Sequence, residues 1–162
     1  MNSNVEKELA ELFAAHNTKM EHLRQVNTER EQKEAAFLSQ YIERRANIFR
    51  PAFESFATAV EARGIKCRIE EQEEESLDQH QAKPATITIG FVVGDGGHRQ
   101  LSEYPHFTIL CDKHAGALTF HKSAMCPGHA GHNGPDVKVG IDIVTENSLH
   151  HSLVELLRQV LL

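Results

Sequence analysis

The sequence predicts an α+β fold: a long N-terminal helix or helical hairpin, a roughly five-stranded antiparallel meander sheet and a C-terminal amphipathic helix. Three observations carry that expectation. Residues 3–63 contain no glycine and one proline, Pro51, in a composition rich in Glu, Ala, Gln, Lys, Arg and Leu. Beyond Gly64 apolar residues alternate with polar ones, and after Thr145 they return to helical spacing. Gly64 therefore divides a helical, coiled-coil-like oligomerisation segment, 1–63, from an α+β domain, 64–162.

The helical segment opens on Ser3 and Glu6, the spacing of a capping box. Val5, Leu9, Leu12, Leu23, Val26 and Phe37 fall on one seven-residue pattern, but His16, Lys19, Arg30 and Lys33 occupy its other seam positions. From Phe37 the apolar stripe strengthens through Tyr41, Phe49, Phe53 and Val60, and Pro51 is expected to kink or divide it. An unbroken helix from Ser3 to Arg50 would be about 70 Å long at ~1.5 Å per residue, more than one small domain covers. Pairing with the same helix of another chain answers that length, with Phe37, Tyr41, Phe49 and Phe53 as the expected interface.

In the second segment Ile65, Cys67 and Ile69 share a face. So do Ile87, Ile89, Phe91 and Val93; Phe107, Ile109 and Cys111; Leu118 and Phe120; and Val137, Val139, Ile141 and Ile143. The intervals between them are too short for crossover helices, so the strands are expected to run antiparallel with one face beneath helices. The acidic run from Glu70 towards Lys83 reads as a solvated loop, and Gly94-Asp95-Gly96-Gly97 and Lys113-His114-Ala115-Gly116 read as turns. Thr145 or Asn147 is placed to cap a last helix whose stripe is Leu149, Leu153, Leu156, Leu157 and Val160.

The chemistry concentrates between His106 and His132, which hold five of eleven histidines and two of three cysteines. Cys111 and His114, then Cys126, His129 and His132, recur at intervals that short metal loops use, and zinc takes four such donors in tetrahedral array. Cys111 is also in phase with Phe107 and Ile109, which favours burial as a small hydrophobe. Three cysteines form no even disulfide framework, and the first residues lack a basic and apolar leader, so a cytoplasmic setting is expected. No stretch approaches the roughly 20 apolar residues of a membrane helix. A net charge of −6 disfavours nucleic acid as a partner.

These features point to a non-enzymatic interaction module, adaptor or chaperone-like, that binds itself as a homodimer or higher oligomer and recognises another protein. On that reading no cofactor is expected. The alternative is a metal- or small-ligand-binding protein, including an enzyme, built on residues 106–132 with zinc as the metal.

Overall fold

In a computed structural model of the chain, the structure describes residues 2–76, 82–94, 97–128 and 133–162. The chain divides into two units, Met1–Ala36 and Phe37–Leu162. Helix α1, Ser3–Arg44, is continuous, so the hairpin alternative is not taken. Asn2 rather than Ser3 caps it: the Asn2 side-chain oxygen accepts the Asn4 N–H at 3.0 Å.

Pro51 leaves its mark upstream of itself. Arg45–Phe49 forms a π-helical turn, in which the Arg50 N–H reaches the Arg45 carbonyl, and α2, Arg50–Glu61, follows with Pro51 in its first turn. A proline has no N–H and its ring crowds the carbonyl four residues back, so widening the preceding turn lets the helical path continue. The expected kink is thus a π-bulge. Gly64, at φ 97°, ends the run in a conformation that side chains with a Cβ rarely adopt.

Strands β1 (Lys66–Gln72), β4 (Thr86–Val92), β5 (His106–Asp112), β6 (Ala117–Ser123) and β7 (Val137–Val139) form one antiparallel sheet in the order β1-β4-β5-β6-β7. A short ladder, β2 (Glu75–Ser76) with β3 (Ala82–Lys83), lies between β1 and β4 in sequence. Gly140 ends β7, so Ile141–Ile143 forms a 3-10 turn instead of extending the strand; Ile141 is buried and Ile143 exposed. Asp78 lies outside the described residues, as do Asp95 and Gly96. The expected solvated loop holds only in part, because Glu70 and Glu71 belong to β1 and Glu73 and Glu74 make ion pairs with Arg45 and Lys113.

Alternation fixes the two faces of the sheet. Ile87, Ile89, Phe91, Phe107, Ile109 and Leu118 are fully buried and Cys111 nearly so, in one core with Tyr41, Phe49, Phe53, Leu149 and Leu153. The Tyr41 hydroxyl donates to the Ile109 carbonyl at 2.6 Å, which satisfies a phenol that burial would otherwise penalise. Helix α3, Glu146–Leu161, begins with a reciprocal cap: Thr145 Oγ1 accepts the Ser148 N–H and Ser148 Oγ accepts the Thr145 N–H. His150 donates through Nε2 to the Ala52 carbonyl at 2.9 Å and ties α3 to α2. Among the described residues no helix is long and apolar enough to cross a membrane.

The opposite sheet face carries Thr86, Thr88, Thr108, Thr119 and His121, with Thr88 and Thr108 hydrogen-bonded across strands at 2.8 Å. Residues 97–105 cover its end near β1. Leu101 packs so closely on Gly90 that an added Cβ would lie 2.0 Å from Leu101 Cδ1. Gly90→Ala is expected to destabilise the protein by about 1–3 kcal/mol through overpacking, and to cost much less in a chain that also carries Leu101→Ala. Urea midpoints of the two single variants and the double variant check this; an equal cost of Gly90→Ala in both backgrounds would refute the contact as its cause.

Candidate functional site

Along α1 the apolar side chains are not enclosed. Residues 3–33 are all exposed, and seven large apolar side chains are among them: Val5, Leu9, Leu12, Phe13, Met20, Leu23 and Val26. Leu12 keeps 64% of its surface accessible and Phe13 60%. At ~100° per residue all seven fall within an arc of about 140°, with His16 in its middle. Positions 5, 9 and 12 recur as 16, 20 and 23, an eleven-residue period. The seven-residue pattern missed Phe13 and Met20 and placed Lys19 on the seam. Eleven-residue spacing was the signal that finds Met20, and it leaves His16 as the single polar member between Val5 and Leu23.

Phe37, Tyr41, Phe49 and Phe53, expected between chains, lie elsewhere. Tyr41, Phe49 and Phe53 are fully buried and Phe37 nearly so, all within the core of Phe37–Leu162. This corrects the expected interface: the stripe that strengthens at Phe37 is covered by the chain's own sheet. The large apolar side chains between Val5 and Val26, by contrast, stay exposed.

The Cys/His region is spread across both sheet faces. Cys111 is on the core side of β5, whereas His106 and His121 are on the other, their ring centroids 5.4 Å apart. His121 Nδ1 meets Asp136 Oδ1 at 2.7 Å, and His106 Nδ1 donates to the Tyr104 carbonyl at 2.7 Å. Cys111 and His114 both line a cavity of about 210 Å³ with Glu74, Lys83, Asp112 and Lys113. Within it the Lys113 ammonium pairs with Glu74. Cys126 follows β6 in a loop, its thiol towards the Ala124 carbonyl at 3.8 Å. His129 and His132 lie outside the described residues. Among the described residues no three His, Cys, Asp or Glu side chains are grouped to hold a metal ion.

Burial pushes the Cys67 thiol up to about 12 and the Cys111 thiol up to about 11, so both are protonated at neutral pH and poor nucleophiles. Ser55, His150 and Glu146 are also near one another, but Ser55 Oγ at 3.1 Å and Glu146 at 3.9 Å both meet Nε2, which the Ala52 carbonyl already engages. A relay needs the nucleophile and the carboxylate on different ring nitrogens.

His106 titrates below its ordinary value, chiefly because it is buried and further because of nearby His121; the Tyr104 carbonyl opposes the shift. A histidine with a lowered native value binds its proton more readily when unfolded. Its contribution to stability is therefore present above the unfolded value of about 6.5 and lost as pH falls through the native one. His106→Asn keeps a donor for the Tyr104 carbonyl and removes the titration. Its thermal stability is expected to fall less steeply than the parent's below about pH 6.5, the difference reaching at most ~1.4 kcal/mol per pH unit. Identical slopes in melting experiments would count against the assignment.

No family model matches the chain, and no similar curated protein or solved structure is found.

Proposed function

We propose that this chain is a non-enzymatic protein-interaction module, adaptor or chaperone-like, that self-associates through α1 and works in the cytoplasm. The observation that carries the reading is the exposed stripe of seven large apolar side chains between Val5 and Val26. Long helices in water owe most of their stability to packing of an apolar face, and propensity alone leaves them marginal. Covering side chains of this size contributes on the order of 1–3 kcal/mol each, so seven from each chain outweigh the association entropy of an ordinary dimer. Half-buried Cys67, buried Cys111 and half-buried Cys126 are all unpaired, in keeping with a reducing compartment.

Sedimentation equilibrium of the full chain tests the proposal. The expected mass is a multiple of the chain mass at micromolar concentration, falling towards one chain on dilution. A single-chain mass throughout that range would defeat the reading.

A further inference from the structure

We infer that the partner of α1 is α1 of a second copy of this chain, lying antiparallel to it and centred near His16. The inference rests on the self-association reading and adds orientation and register to it. Charge along the stripe supplies the reason. Acidic Glu6, Glu8 and Glu11 flank its first half, and basic Lys19 and Arg24 flank its second. At ~100° per residue Glu6 and Arg24 lie on one flank, and Glu8, Glu11 and Lys19 on the other.

A two-fold axis relating antiparallel helices brings each flank against the same flank of the partner. When numbers on the two chains sum to about 30–32, Glu6 faces Arg24, Glu11 faces Lys19, and Glu8 lies by His22. The same register sets Leu9 against Leu23, Leu12 against Met20 and Val5 against Val26. Apolar rows and opposite charges thus match together. Each facing pair occurs twice in a symmetric dimer.

Parallel, in-register pairing does the reverse. Its two-fold axis runs along the helices and brings opposite flanks together at the same height, so Glu6 meets Glu8 and Arg24 meets His22. Further along, Arg30, which shares the angular position of Leu12 on the stripe, would face Arg30. Like charges in such positions disfavour pairing, and charges beside a seam set partner orientation.

Oxidative cross-linking of the full chain in a Cys126→Ser background tests the orientation. His16→Cys lies near the centre and is expected to form a covalent dimer. Chains carrying Leu9→Cys are expected to cross-link when mixed with chains carrying Leu23→Cys, and to give no covalent dimer alone. In the inferred register the two copies of position 9 are about 21 Å apart at ~1.5 Å per residue, well beyond the roughly 7 Å Cα separation that a disulfide spans. Covalent dimer from Leu9→Cys alone, with a multiple-chain mass, would overturn the antiparallel inference while leaving self-association standing. A single-chain mass with no cross-link in any variant would overturn both. As a second readout, Glu6→Lys with Glu11→Lys is expected to weaken association, and adding Lys19→Glu with Arg24→Glu to restore it. Failure of the fourfold variant to recover the parent mass would also count against the inferred facing pairs.

Discussion

Replacing Leu9, Leu12 and Leu23 together with aspartate is expected to leave the chain monomeric at concentrations where the parent associates. All three side chains are exposed in the single chain, so the substitutions remove little from its own packing. Leu9, Leu12 and Leu23 keep 40%, 64% and 45% of their surface accessible, so covering each contributes about 0.6–2 kcal/mol, and a symmetric dimer loses every contact twice. The total, about 4–9 kcal/mol, is comparable to the ~8 kcal/mol that corresponds to micromolar affinity, and the cost of desolvating carboxylates adds to it. The same variant is expected to lose helical circular-dichroism signal, since an uncovered helix frays. The core of Phe37–Leu162 contains none of the three positions, so its thermal transition is expected to stay in place. Retention of the parent mass would remove the stripe as the association surface.

The second large effect concerns stability. Arg45→Met is expected to destabilise the protein by about 3 kcal/mol. Arg45 is 5% exposed, and its guanidinium donates to the Gln72 and Thr86 carbonyls at 3.3 Å each. Those two residues face each other on the last rung between β1 and β4. The group also pairs with Glu73, lies 3.8 Å from Glu71, and stands 5.7 Å from the centre of the Tyr41 ring. Glu73 is largely exposed, so its pairing is screened, and the larger loss comes from the two carbonyls deprived of donors. Arg45→Lys retains charge without the planar fork and is expected to recover only part of the loss. Urea unfolding of the three chains measures it; a Met variant within about 0.5 kcal/mol of the parent would show that water replaces the guanidinium at little cost.

Much of the fold was legible because strand periodicity is a direct readout of burial. Ile87, Ile89 and Phe91 alternate in sequence and are fully buried in the structure, and Thr145 caps the last helix with Ser148 reciprocating. The covering partner was not legible. Apolar spacing shows that Phe37, Tyr41, Phe49 and Phe53 are buried, but the same spacing serves an internal sheet and a second chain equally. Sequence proximity also said little about the Cys/His region, because a pleated strand sends alternate side chains to opposite faces: Cys111 entered the core, while His106 and His121 took the other side. Arg45 had no signal at all. Only the meeting of a π-helical turn with the end of a β-ladder makes a buried donor at that position necessary.

The π-helical turn at Arg45–Phe49 gives the helical run two different rules for tolerated changes in length. In residues 5–26, inserting or deleting eleven residues preserves the phase of the stripe, so that segment can vary between related chains in whole repeats. Around Arg45–Phe49 the unit is a single residue: five residues in π-helical winding sweep about the same angle as four in α-helical winding, so removing one there, with return to ordinary winding, keeps Phe53 and Ala57 facing the sheet. Elsewhere between Phe37 and Glu61 one residue more or fewer turns the following side chains by about 100° about the axis. Relatives of this chain should therefore differ in length by whole repeats upstream of Phe37 and by one residue at the π-helical turn, with substitution at constant length in the rest of that run.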